Sequence, residues 1–165
     1  MNLGFYMEKL HSSDKFQTFL KENPSAYLCA GFFVIDMEKK DNKVHFDYLN
    51  PENKKISSFQ MDNGIKVVDL DNIEKGVFES ISDSIEIDFD EIQEIIEGEM
   101  ERNNVKSKIQ KIMLSLQKND GKIHLIGTVF ISSLGMVRIN ISLPEKEITQ
   151  FEKKSFFDIV NVFKK

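Results

Sequence analysis

Apolar and polar residues alternate along two stretches of this chain, and the alternation sets the expected architecture. Val137, Ile139, Ile141 and Leu143 alternate with Arg138, Asn140 and Ser142. A period of two puts one face of a strand on a core and the other in water. Ile112, Leu114 and Leu116 repeat the pattern against Met113, Ser115 and Gln117, and Ile123, Leu125, Val129 and Ile131 line one face of a further strand. Asn119-Asp120-Gly121, Ser133-Leu134-Gly135 and Leu143-Pro144-Glu145 punctuate these runs. Asp-Gly supplies the positive φ of a tight hairpin, and Pro presets φ for a turn. Residues 108–151 therefore predict a meander of four strands.

The N-terminal part reads in a similar way. Residues 2–11 predict a short helix. Ser12-Ser13-Asp14 then supplies an N-cap for a second one, with Phe16, Phe19 and Leu20 at helical spacing and Asn23-Pro24 as its stop. Residues 26–36 predict a strand apolar on both faces, with Tyr27, Cys29, Phe33 and Ile35 on one and Leu28, Phe32 and Val34 on the other. Such a strand belongs in the middle of a sheet. Val44, Phe46 and Tyr48 alternate against His45 and Asp47, and residues 55–61 close the unit. Asn50-Pro51-Glu52 with Ile56 and Phe59 echoes Leu143-Pro144-Glu145 with Ile148 and Phe151, which suggests a duplicated unit.

Residues 62–88 are expected to be an acidic connector, in which Ile73, Val77 and Ile81 allow one short helix. Asp88 or Asp90 can cap the next helix, whose apolar stripe is Ile92, Ile95, Ile96 and Met100, with Asn103-Asn104 as its stop. The expected organisation is a first helix-plus-meander unit over 1–61, the connector over 62–88, and a second unit over 89–165 with an apolar tail. The fold class is α+β, with the two units packed into one body.

Composition adds bounds. The 165 residues suffice for one sizeable core, with 41% hydrophobic and 30% charged positions. Fourteen Phe and no Trp point to rings used for packing, because Phe has no polar handle. A formal net charge of −5 argues against nonspecific nucleic-acid binding. Residues 1–11 do not read as a signal peptide, and no apolar run approaches the roughly 20 residues that span a bilayer. The single cysteine suits a reducing compartment, so a cytoplasmic location is expected.

No catalytic constellation emerges, and no cofactor or metal is expected. Cys29 lies in an apolar strand, where cysteine behaves as a small hydrophobe. His11, His45 and His124 lack metal-ligand spacing to one another. The stretch Asp69–Glu101 holds thirteen carboxylates and one base, Lys75, and reads first as a solvated face. Its Asp88, Asp90, Glu91 and Glu94 suit a helix N-terminus. The partner-binding candidates are Phe156, Phe157, Ile159, Val160 and Phe163, five large apolar side chains close together in the tail.

The arrangement resembles the PepSY-like proteins, whose unit is a helix followed by a meander in a cystatin-like α+β layout, often in tandem. Residues 26–61 resemble one meander and 108–152 the other, each preceded by a helix. The family's usual strand–aspartate–glycine–strand ending is replaced here by Ser142-Leu143-Pro144-Glu145-Lys146-Glu147-Ile148, its common tryptophan is absent, and residues 1–11 do not read as its usual export signal. The resemblance implies a noncatalytic binding or regulatory module that restrains a peptidase or another protein partner, and it transfers no site residues. The alternatives are a small-ligand or enzyme domain using a concave sheet face, and a structural homodimer.

Overall fold

The computed structural model describes residues 1–70 and 78–155. Helix α1 (Leu3–His11) is capped by Asn2, whose side chain accepts from the Gly4 amide at 2.8 Å. Helix α2 (Asp14–Glu22) is capped by Ser13, which accepts from the Phe16 amide at 3.2 Å. Four strands follow: β1 (Tyr27–Asp36), β2 (Lys43–Asn50), β3 (Lys55–Gln60) and β4 (Lys66–Leu70). Helix α3 (Phe89–Arg102) starts at Asp88, which accepts from the Asp90 amide at 3.0 Å. Strands β5 (Ile109–Asn119), β6 (Lys122–Ile131), β7 (Gly135–Leu143) and β8 (Glu147–Ser155) complete the order.

The eight strands form one antiparallel sheet in the order β4-β3-β2-β1-β5-β6-β7-β8. Each run of four lies in chain order, and the runs meet where β1 pairs with β5, from Gly31↔Leu116 to Asp36↔Lys111. β1 is therefore central, as its apolar composition requires. The three helices share one face of the sheet. Phe16 of α2 packs edge-on against Tyr48 and Phe59 at 5.0 and 5.2 Å, and Phe89 of α3 meets Phe33 at 4.8 Å. Ile92, Ile96 and Met100 of α3 join the same buried cluster as Leu114, Leu125 and Ile139. Phe16, Phe19, Phe33, Phe46, Phe59 and Phe89 thus serve the interface between helices and sheet.

Local chemistry explains most turns. Asp120 and Gly121 both have positive φ, 52° and 75°, and form the two-residue turn between β5 and β6. Gly127 has a different role. A Cβ there would strike the Met113 carbonyl of β5, so the two backbones can approach only with glycine at this point.

Several expectations need correction. The stretch expected as connector opens with β4, where Val67, Val68 and Leu70 supply a short β-prone run among charged neighbours. Ile81 is buried outside any helix, its amide bonded to the Leu28 carbonyl at 2.8 Å, while Ile73 and Val77 lie outside the described residues. A bulge between Leu28 and Ala30 breaks the alternation expected for β1. Leu28 therefore shares the helix side with Phe33, and Cys29 turns to the opposite face. The two Pro-Glu turns close different hairpins, β2–β3 and β7–β8, so they are not equivalent positions.

Candidate binding groove

Helix cover runs out towards the β4 edge. The register pairs Phe59 with Val67 and Ser57 with Asp69, which puts Ser57, Val67 and Asp69 on the helix side. α2 lies over Phe59, with Phe19 at 5.0 Å from that ring, and no described helix covers β4. The result is an open groove of about 750 Å³ between α2 and β3–β4. Phe19 and Val67 contribute apolar surface. Thr18, Glu22, Lys55, Ser57, Lys66 and Asp69 contribute polar groups.

The groove is built from satisfied contacts. Asn50 is only 6% exposed; it donates to Asn23 Oδ1 at 2.9 Å and accepts from the Glu52 amide at 2.9 Å. Asn23 donates in turn to the Phe19 carbonyl at 3.0 Å, so this pair of amides ties the end of α2 to the β2–β3 turn. At the other end Lys15 Nζ donates to the Ile65 carbonyl at 2.8 Å and holds the start of α2 against the approach to β4. Ser57 Oγ donates to Asp69 Oδ1 at 3.1 Å across the floor. Among the described residues, the side chains of Glu22, Lys55 and Lys66 make no hydrogen bond or ion pair. They are charged groups with binding capacity to spare. None of these residues stood out in the sequence. The signal that could have found them is polarity at core-side positions: Lys55 and Ser57 occupy places where the alternation ending in Phe59 calls for apolar residues.

A second, smaller cavity of about 240 Å³ lies on the opposite face, lined by Cys29, Ala30, Asp47, Ile56 and Leu70 among others. Cys29 Sγ donates to the Asp47 carbonyl at 3.3 Å. Burial, and then the Asp47 charge, push its thiol up to about 12. A thiol held that high is protonated and inert at neutral pH. Burial also raises the Asp47 carboxyl, against a Ser58 hydrogen bond and the influence of His45. His45 Nε2 lies 3.0 Å from Asp62 Oδ2, so its partner is a carboxylate and not the thiol.

The other histidines also face polar side chains. His124 Nδ1 pairs with Asn140 Oδ1 at 3.0 Å, and His11 Nε2 lies 3.2 Å from Asp83 Oδ2. The described carboxylates of the acidic stretch are dispersed. Asp69 serves Ser57, Asp83 faces His11, Asp88 caps α3, and Glu91 pairs with Lys146 at 2.8 Å. Among the described residues no cluster of three or more His, Cys, Asp or Glu is placed to hold a metal, and no helix is long and apolar enough to cross a membrane. Phe156, Phe157, Ile159, Val160 and Phe163 lie outside the described residues.

Helices on one face of a single antiparallel sheet define the α+β class. The fold is similar to that of a candidate lipoprotein from Clostridium difficile 630, known from its crystal structure. The two superpose with a TM-score of 0.56 and 12% identity over 86% of this chain and 91% of that one. At that identity the likeness is one of fold alone. No family profile matches the chain, and no curated protein matches it in sequence.

Proposed function

We propose that this chain is a noncatalytic binding module that engages a protein partner through the groove beside β4. The observation that carries the reading is the groove itself, where Glu22 and Lys55, whose side chains are unpaired among the described residues, lie beside the apolar surface of Phe19 and Val67. Polar groups placed around apolar surface are the usual make-up of a recognition site. The opposite cavity, at about 240 Å³, is smaller than the roughly 300–1,000 Å³ of ordinary small-ligand pockets, and its thiol is inert. That argues against the opposite cavity as the site of a small ligand or a substrate.

We read the architecture as two helix-plus-meander units, α1–α2 with β1–β4 and α3 with β5–β8, joined through β1 and β5. This is the tandem layout of the PepSY resemblance, and a module that restrains a peptidase fits it. Both a cytoplasmic location and attachment to a lipid surface suit this function.

The test compares wild-type protein with Val67→Glu as baits in a native lysate, after circular dichroism has shown the same fold. Val67 is 38% exposed, so the substitution charges the groove without opening the core. A protein retained by wild type and lost by the variant supports the reading. Identical retained sets overturn it.

A further inference from the structure

The sheet has two edges, and they differ. β8 carries Glu147, Glu152, Lys153 and Lys154 and a bulge opposite Asn140/Ile141. Charges and bulges are the devices that keep an edge from pairing with another chain. β4 also carries charges, Lys66 and Asp69, but it has neither a bulge nor a proline. Its pairing with β3 runs in regular register from Ile56↔Leu70 to Gln60↔Lys66, and Val67 is one of the few exposed large apolar side chains. Among the described residues no strand pairs with its outer side. A row of backbone donors and acceptors is therefore available beside a groove that already collects side chains.

We infer that β4 takes an extended peptide as a further strand, with a basic side chain opposite Asp69, an apolar one opposite Val67 and an acidic one opposite Lys66. This rests on the groove being the recognition site. Backbone hydrogen bonds supply adhesion in such an arrangement, and alternate side chains supply selectivity. Val67 and Asp69 point to the helix side, so a strand added beyond β4 closes the open side of the groove and directs every second side chain towards α2. Lys66 and Asp69 differ in sign and lie three residues apart on opposite faces. They set the charge order of the guest as well as its register. Every neighbour in this sheet is antiparallel, and the guest continues that rule.

The probe is a blocked synthetic peptide, Thr-Ile-Lys-Val-Val-Glu-Thr, titrated into isotope-labelled full-length protein and followed by amide NMR. Its order places Lys opposite Asp69 and Glu opposite Lys66. The expected result is saturable shifts in β4 and the groove. Exchanging Lys and Glu in the peptide weakens binding by roughly three- to tenfold, as two cross-strand charge pairs reverse. The protein variant Lys66→Glu with Asp69→Lys restores the exchanged peptide. A central Val→Pro peptide, which lacks a ladder donor, does not bind. No saturable shift in β4, or equal binding of the proline peptide, overturns the inference. So do β4 shifts that depend on protein concentration alone, because a second copy then occupies the edge. If the peptide fails while Val67→Glu still loses a partner, the groove binds a folded surface and only this inference falls. If both fail, the groove reading falls too.

Discussion

Nε2 of His11 and Oδ2 of Asp83 stand 3.2 Å apart, joining the last turn of α1 to the segment that leads into α3. Behind them lies Tyr48, 1% exposed, whose hydroxyl is buried and makes no well-formed hydrogen bond among the described residues. Burial raises the Tyr48 phenol and the nearby Asp83 charge raises it further. A buried hydroxyl without a partner carries its full desolvation cost. Tyr48→Phe is therefore expected to leave the melting temperature unchanged or to raise it. A loss near 1 kcal/mol in denaturant titration, the usual worth of a hydrogen bond, would mean that the Asp83 contact is formed in solution.

Asp47 gives a pH signature. Burial raises its carboxyl above the ordinary range, outweighing the Ser58 hydrogen bond and His45. A carboxyl with a higher pKa folded than unfolded binds its proton more readily in the native state. Its charge costs stability at neutral pH, and that cost disappears as pH falls through the raised value towards the unfolded one, about 3.9. Asp47→Asn should melt higher than wild type at pH 7, with the difference shrinking on acidification. A variant that melts lower at pH 7 would show that the charged contacts outweigh burial.

Cys29 is 3% exposed, and its thiol is pushed up to about 12. A small disulfide reagent should modify it slowly in the native protein and at once in denaturant. Equal rates in the two states would contradict the burial described above.

Gly127 is the tightest point of the β5–β6 ladder. Ala at this position places its Cβ against the Met113 carbonyl, a backbone atom that cannot rotate away. The expected loss is about 3 kcal/mol, at the upper end of overpacking, or roughly 6–12 °C in Tm for a chain of this size. Gly31→Ala should cost less, because its added methyl meets the far end of the Phe33 ring, which can shift.

Much of the fold is legible in the residues, and the division follows physical range. Caps at Ser13 and Asp88, the Asp120-Gly121 turn and the alternation of β2, β5 and β7 depend on neighbours a few positions away. Local spacing records such features. The pairing of β1 with β5 joins residues far apart in the chain, and no local pattern encodes it. The bulge at Cys29 was hidden for a related reason: a strand apolar on both faces gives no contrast to mark a slip in phase. The groove stayed hidden because its residues are ordinary Asn, Lys and Ser. They gain meaning only from α2 ending where β4 begins to be exposed.

The β1–β5 pairing also bears on how the chain reaches its native state. Every other ladder joins strands that follow each other in the chain, so each hairpin can close a short loop early. Bringing Gly31 beside Leu116 closes a far longer one, and such distant pairings slow a folding rate. The transition state for folding is therefore expected to be centred on this junction. Truncating Phe33 or Leu114 would slow refolding, while truncating Phe151 on the outer strand would mainly speed unfolding.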